Sequence, residues 1–315
     1  MTVPLQRRPV RRTGVELPTV GLGTAGIAGL YTSVADDEAH AVVRRALEAG
    51  VVYLDTAPQY GHGTAERRVG AALAEVDRGA FILSTKVGRL IVPRPGGDTG
   101  IFPDAPPSDA VFDFSRTGIL RSLEASLHRL GLDHVDVVLI HDPDDYEEQA
   151  LREAYPVLEE LRAEGVVRAI GAGMNQTRVL ERFVRETDVD LVLVAGRFTL
   201  LDREAASSLL PACLERDVAV VVGGVFNSGI LADPGPGARY GYVSASPDTL
   251  ARARALAVTC ERHGVSLRAA ALQFPMRHPA VTSVLAGARS VRELDDCLAQ
   301  LACEIPADLW EELGA

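Results

Sequence analysis

Short apolar runs alternate with longer amphipathic segments along the whole chain. The runs are TVGLGT (19–24), VVYLDTA (51–57), FILSTKV (81–87), VDVVLIH (135–141), VVRAIGAG (166–173), VDLVLVAG (189–196), VAVVVGGV (218–225) and VTSVLAGA (281–288). Rich in β-branched residues and almost continuously hydrophobic, they read as strands of a parallel sheet buried on both faces. Between them, DDEAHAVVRRALEAG (36–50) spaces its apolar residues at i, i+3 and i+4 and stops on glycine, the pattern of a helix with one buried stripe. GILRSLEASLHRLG (118–131) and AYPVLEELRAEG (154–165) repeat the design.

Eight strand candidates, each followed by a helix candidate, predict an α/β fold of the (β/α)8 barrel type, built as one domain over residues 1–315. A doubly wound open sheet shares the local βα pattern and is the alternative. Two long connections break the rhythm, at 89–114 after the third strand and 226–246 after the seventh. In a barrel both emerge at the C-terminal face, where they would form a lid or a substrate loop.

The chain has 315 residues, is 47% hydrophobic and carries a net charge of -11. That acidic balance argues against nucleic acid or an anionic membrane as the main partner. The arginine-rich QRRPVRR (6–12) runs against it. With no apolar segment behind it, this stretch reads as a solvated N-terminal tail. No run is long enough to span a bilayer. Cys213, Cys260, Cys297 and Cys303 form no CxxC pair and no cluster with histidine. They read as reduced thiols of a cytoplasmic protein, with no metal site.

The ends of the strands carry the chemistry. The second strand leads into LDTAPQYG, with Asp55 and, one turn on, Tyr60; the third ends at Lys86 and the fourth at His141. In a barrel these four ionisable side chains converge on one mouth. Lys86 is the only lysine of the chain, every other basic position except histidine being arginine. An ammonium is a compact point charge where a guanidinium is a broad planar fork. Beside a tyrosine it favours phenolate and pulls down a pKa that is ordinarily near 10, while Asp55 holds it in place. His141 is placed to orient a substrate oxygen.

GLGT (21–24), LDTAPQYGHGTAE (54–66), STKVG (84–88), VDVVLIHDPD (135–144) and VLAGARSVREL (284–294) occur in this order, and together they resemble the aldo-keto reductases. The resemblance runs from about residue 14 to the end. It implies a barrel that binds an extended nicotinamide cofactor without a Rossmann domain, and a catalytic set of Asp55, Tyr60, Lys86 and His141 with Tyr60 transferring the proton. Gly23, Thr24 and Asp55 at the first two strand ends, and Gly287 at the last, are carried over as cofactor contacts.

Three departures narrow the branch. Many members hold the nicotinamide carboxamide with a Ser-Asn pair after the fifth strand. Here GAGMNQ puts Gly173 and Met174 there, leaving Asn175 as the nearby amide. The usual glutamine after the sixth strand is Ala195, and the stacking aromatic after the seventh is Gly223, with Phe226 as a candidate replacement. The backbone of Asn227, Ser228 and Gly229 is expected to cradle the pyrophosphate. These variants resemble the sugar-oxidising branch of L-fucose and D-threo-aldose 1-dehydrogenases, whose relatives include L-galactose and pyridoxal 4-dehydrogenases.

The resemblance accordingly implies oxidation of an aldose at its anomeric hydroxyl to a lactone, by a monomer or homodimer whose partner is a small sugar. At the start of the last barrel helix, Arg289 would favour a 2′-phosphate whereas Glu293 would repel one and accept from a ribose hydroxyl, so NAD is expected over NADP. Asp296 is a candidate acceptor for the adenine amino group. Tyr31, Phe112 and Phe114 are candidate pocket walls. The alternatives are a carbonyl reductase running the same four residues in reverse, a pyridoxal 4-dehydrogenase, a nicotinamide-binding regulatory subunit, and a phosphate-binding barrel without nicotinamide.

Overall fold

A computed structural model describes residues 5–11 and 13–314. Eight parallel strands form a closed barrel. They are β1 (Val20–Gly23), β2 (Tyr53–Asp55), β3 (Ile82–Val87), β4 (Val137–His141), β5 (Ala169–Met174), β6 (Leu191–Ala195), β7 (Ala219–Gly223) and β8 (Val281–Gly287). Neighbours in sequence are neighbours in the sheet, and β8 closes on β1 with Val284 opposite Val20. The open-sheet alternative is thereby excluded. The helices are α1 (Asp36–Glu48), α2 (Thr64–Leu73), α3 (Arg116–Leu130), α4 (Tyr155–Ala163), α5 (Thr177–Glu186) and α6 (Leu209–Arg216). Then α7 (Pro247–Arg262) and α8 (Leu267–Gln273) lie between β7 and β8, and α9 (Val291–Leu301) and α10 (Ala307–Glu312) follow β8.

Continuous hydrophobicity in the strands reflects two burial environments. Leu22, Leu54, Leu83, Val138, Ile140, Ile170, Val192 and Val220 face outward into the layer beneath the helices. Tyr53, Val137, Leu139, Leu191, Leu193, Val221 and Leu285 fill the barrel interior. The run Gly21-Leu22-Gly23-Thr24-Ala25-Gly26 has the spacing of a dinucleotide fingerprint, but its glycines serve packing. A Cβ on Gly21 would lie 2.6 Å from the Tyr53 ring, and one on Gly26 would lie 2.6 Å from the Ala288 carbonyl. No phosphate-binding helix starts there, since only a single 3-10 turn follows before α1.

The N-terminal arginine-rich stretch is not a solvated tail. Arg7–Val10 pairs antiparallel with Val15–Pro18, and Val10, Val15 and Leu17 are buried against Tyr53, Val137 and Leu191 at the N-terminal end of the barrel. The alternation that buries Val10 leaves Arg7 and Pro9 outside, so a basic surface masks an apolar plug. The Arg8 guanidinium donates to the Val281 carbonyl, tying the hairpin to β8. Arg12 lies outside the described residues.

Both long connections carry hairpins on the opposite, C-terminal face. Arg89–Pro93 pairs with Ser108–Phe112. Arg239–Tyr240 pairs with Val243–Ser244 across a two-residue turn, Gly241-Tyr242, with φ of 58° and 71°. Positive φ at both turn residues matches the strand twist of a tight hairpin, though it is an uncommon conformation for tyrosine.

Candidate active site

Side chains alternate across a strand, so Ser84 and Lys86 of β3 both point into the barrel. Lys86, 1% exposed, donates to Asp55 Oδ2 at 2.7 Å, to the Thr56 carbonyl at 2.9 Å and to the Tyr60 hydroxyl at 3.1 Å. Ser84 Oγ donates to the other carboxylate oxygen of Asp55 at 2.7 Å and lies 3.1 Å from the Tyr53 hydroxyl. Asp55 is thus fully engaged, and it locks the ammonium beneath Tyr60. Ser84 was not singled out from the sequence, although its place two residues before Lys86 puts it on the same face. On the outer face of β3, Thr85 donates to the buried Glu66 at 2.8 Å, which Arg129 Nε also reaches at 2.6 Å. These bonds anchor β3 to α2 and α3.

Tyr60 is carried by a turn in which Gly61, His62 and Gly63 all have positive φ. His62 Nδ1 lies 2.9 Å from Ser108 Oγ, linking that turn to the hairpin after β3. The rings of Tyr60 and His141 meet edge to face, with centroids 6.1 Å apart. Two such groups can hold one substrate oxygen between them. The structure therefore brings together all four expected catalytic side chains.

Burial pushes the Tyr60 phenol above its ordinary pKa, and the pull of Lys86 in the other direction does not offset this fully. The ammonium's expected effect is present, but desolvation outweighs it. Burial likewise works against charge on Lys86, yet Asp55 and Tyr60 beside it more than compensate and hold it protonated. His141 is pushed well below its ordinary value by burial and then by Arg89 and Lys86, which makes it a neutral imidazole.

Among the described residues, six buried side-chain polar atoms without a hydrogen-bond partner lie around this mouth: Tyr31 Oη, Thr56 Oγ1, Gln59 Oε1, Arg89 Nε, His141 Nδ1 and Asp144 Oδ1. Native structures seldom leave buried polar groups unpaired, so the cluster marks a place where a polar ligand completes the bonding. Phe112 lies in the wall of the mouth, stacked on Phe114 and under the Arg89 guanidinium, which is 4.6 Å from its ring centre. Phe114 itself is fully buried and packs beneath the loop against Gly88. The Arg239 guanidinium covers the Tyr31 ring at 4.8 Å.

On the opposite half of the mouth the strand ends carry small residues. Gly173 and Gly223 face inward; a Cβ on Gly173 would come 3.6 Å from Lys86 Cε, and one on Gly223 would come 3.8 Å from that of Ala195. Met174 points outward into the hydrophobic layer. Small inward residues on β5, β6 and β7, facing unpaired polar atoms on the ends of β1 to β4, make a shelf that fits a flat, polar-edged ring such as nicotinamide. Asn175, next above Met174, is half-buried, and its carbonyl accepts from Arg197 at 2.9 Å.

The other expected cofactor residues divide into free and engaged groups. The Asn227 side chain donates to the Gly196 carbonyl at 3.0 Å and accepts from Thr199 at 2.6 Å, so it braces the loops after β6 and β7. Asn227, Ser228 and Gly229 have φ of 44°, 59° and 100°. Ser228 Oγ accepts from the Tyr242 amide at 3.0 Å. Phe226 packs on the outer core. Thr24 donates through both its amide, at 3.0 Å, and its hydroxyl, at 2.9 Å, to the Asp55 carbonyl, beside Gly23 at the end of β1. Gly287 is exposed, with open space around it. Glu293 caps α9 by accepting from the Arg289 amide at 2.8 Å and pairs with the Arg289 guanidinium at 2.7 Å. Asp296 is engaged by Arg268 at 3.0 Å and by Gln300 at 3.1 Å.

Residues 19–315 match the sequence model of the aldo/keto reductase family. A D-threo-aldose 1-dehydrogenase of Pseudomonas sp is 43% identical, over 96% of this chain and 94% of its own. A pyridoxal 4-dehydrogenase of Microbacterium luteolum is 36% identical, over 98% and 96%. The holo form of an aldo-keto reductase from Bacillus halodurans superposes with a TM-score of 0.79 at 25% identity, covering 98% of this chain and 95% of that one.

Proposed function

The chain belongs to the aldo/keto reductase family, and on that premise we propose that it oxidises the anomeric C1 hydroxyl of an aldose to the lactone, with NAD preferred over NADP. The contact series Asp55–Lys86–Tyr60 carries the reaction assignment, because it places one charged donor 3.1 Å from a phenol at the mouth of the barrel. The aldose rests on the similarity to D-threo-aldose 1-dehydrogenase over almost the whole chain.

When bound, a nicotinamide dinucleotide supplies the hydride acceptor. The shelf of Gly173, Ala195 and Gly223 would hold its ring, with Asn175 as the amide partner. The loop from Phe226 to Gly229 would hold the phosphates, beside Gly23 and Gly287, and Glu293 the ribose; the amides of Arg289, Val291 and Glu293 at the start of α9 are already taken by Glu293, Glu38 and Ser290. Glu293 pairs with Arg289, which makes that guanidinium less available to a 2′-phosphate. This supports NAD. In the oxidative direction Tyr60 takes the proton of the C1 hydroxyl. Lys86 stabilises the phenolate that does so, and neutral His141 donates a hydrogen bond to the reacting oxygen. The lactone is an ester, and its later hydrolysis pulls the reaction forward.

Carbonyl reduction is the second reading. It is favoured by one observation, that burial keeps the Tyr60 phenol in its protonated, donating form. Absorbance of the reduced cofactor, followed with NAD+ or NADP+ and a panel of L-fucose, D-arabinose, L-galactose and pyridoxal, separates the two. Rapid NAD+ reduction with an aldose is the expected outcome. No turnover of any aldose, with aldehyde reduction by NADH or NADPH intact, would leave the reductase reading in its place.

A further inference from the structure

The turn that ends β4 reads His141-Asp142-Pro143-Asp144-Asp145. Asp142 has a φ of 42°, a left-handed conformation unusual outside glycine, and its amide donates to the Gly173 carbonyl at 3.1 Å. Strained backbone beside a reacting group is a pointer to function. The result here is a carboxylate turned back toward the mouth, with Oδ2 lying 3.5 Å from His141 Nε2. Arg89, the first residue of the hairpin after β3, donates to that same oxygen. Arg89 is itself clamped on the face of Phe112, which also packs on Tyr146 at 5.2 Å.

Arg89, Phe112, Asp142 and Tyr146 line a cavity of about 400 Å³ together with Asn175 and Gln176. That volume is within the range of small-molecule sites. Its chemistry is selective. An apolar ligand would leave Arg89 Nε and Asp144 Oδ1 buried without partners, which disfavours it. An anion would meet Asp142, Asp144 and Asp145, and a cation would meet Arg89. A neutral molecule dense in hydroxyl groups satisfies both signs at once, since each hydroxyl donates and accepts. Phe112 is already covered by Arg89 and Phe114, so it is the exposed Tyr146 ring beside it that offers an aromatic surface for a sugar.

We propose that Asp142, oriented by Arg89, binds the hydroxyl groups next to the oxidised carbon and so makes this enzyme select polyhydroxylated aldoses over simple alcohols and aldehydes. The inference rests on the aldose reading above. Asp142 is the specificity residue, and Arg89 is a positioning residue acting through it. Discrimination of this kind is strong because a site built around buried polar groups is left unpaired by the substrate that lacks their partners.

The test compares kcat/KM for an accepted aldose with that for its 2-deoxy and 3-deoxy counterparts, in wild type and in Asp142→Ala, Asp142→Asn, Arg89→Met and Arg89→Lys. Wild type should prefer the parent sugar over at least one deoxy counterpart by roughly 100-fold. Asp142→Ala should lose about that factor on the parent and less than about 3-fold on that deoxy sugar, so that the preference collapses. Arg89→Met should do the same more weakly, with partial rescue in Arg89→Lys. Thermal midpoint and quenching of protein fluorescence by NADH check that each variant folds and binds cofactor. Parent and deoxy sugars falling together in Asp142→Ala, or neither falling, overturns the role of the pair while the aldose reading stands. A wild-type protein that oxidises no aldose overturns that reading and this inference with it.

Discussion

The Lys86 ammonium donates to the Tyr60 hydroxyl at 3.1 Å and lies 4.6 Å from the centre of its ring. A guanidinium reaching from β3 could not make these contacts and the 2.7 Å bond to Asp55 without widening a site that is closed to solvent. Lys86→Met should lower kcat by about 10²- to 10⁴-fold. It should also destabilise the fold by about 3–5 kcal/mol, because Asp55 is left as a buried charge without its partner. The double variant Asp55→Asn/Lys86→Met should regain stability but not activity. Thermal melts beside steady-state assays read both, and Lys86→Arg with wild-type kcat would refute the argument.

The pH profile should follow Tyr60. Its folded value lies above the ordinary tyrosine value because burial outweighs Lys86. The phenol therefore stays protonated through neutral pH in the free enzyme. Oxidation needs the phenolate, so its kcat/KM should climb with pH across the working range, while the reductive rate holds level and then falls. His141, pushed well below its ordinary value, should add no acid limb near pH 6.5. A reductive rate that instead rises with pH would assign the proton to another group.

Cofactor choice should respond to Glu293. It ties down Arg289 through an ion pair and through the amide that precedes α9. Glu293→Gln keeps an oxygen for the amide but releases the guanidinium. The ratio of kcat/KM for NADP+ to that for NAD+ should rise roughly tenfold, which corresponds to about 1.4 kcal/mol. An unchanged ratio would mean that the adenosine end binds elsewhere.

The N-terminal hairpin should prove structural and thermally costly to damage. Leu17 is fully buried in the barrel floor, and Leu17→Ala should cost about 2–5 kcal/mol, lowering Tm by about 3–8 °C. Activity measured well below Tm should be unchanged, since the reacting end lies at the other end of the strands. Calorimetry alongside kinetics checks both halves.

Much of this molecule is legible in its sequence because a closed parallel barrel repeats one local rule. Each strand is apolar on both faces, so all eight runs stand out, and strand ends such as Asp55, Lys86 and His141 converge by topology alone. What escaped was set by contacts distant in sequence. Val10 reads as part of a charged tail until its pairing with Val15 turns it inward. The net direction at Tyr60 depends on how deeply the phenol is buried, which spacing does not encode. Asp142 and Arg89 are 53 residues apart, and nothing local to either one announces the other. The glycines at 21, 23 and 26 copy a nucleotide fingerprint by spacing, while Gly21 and Gly26 answer to Tyr53 and Ala288.

The hairpin that plugs the barrel also bears on the order of assembly. Arg8 meets the carbonyl of Val281, a partner 273 positions away, so this hairpin, made before the barrel strands, cannot finish docking until the last of them exists. Closing so long a loop is entropically expensive and slows folding. Until it closes, Tyr53, Leu139 and Leu191 form the floor of an open apolar well, a surface to which a neighbouring unfinished chain would adhere. Damage to the hairpin should therefore show itself in the yield of refolded protein before it shows in the turnover of the molecules that succeed.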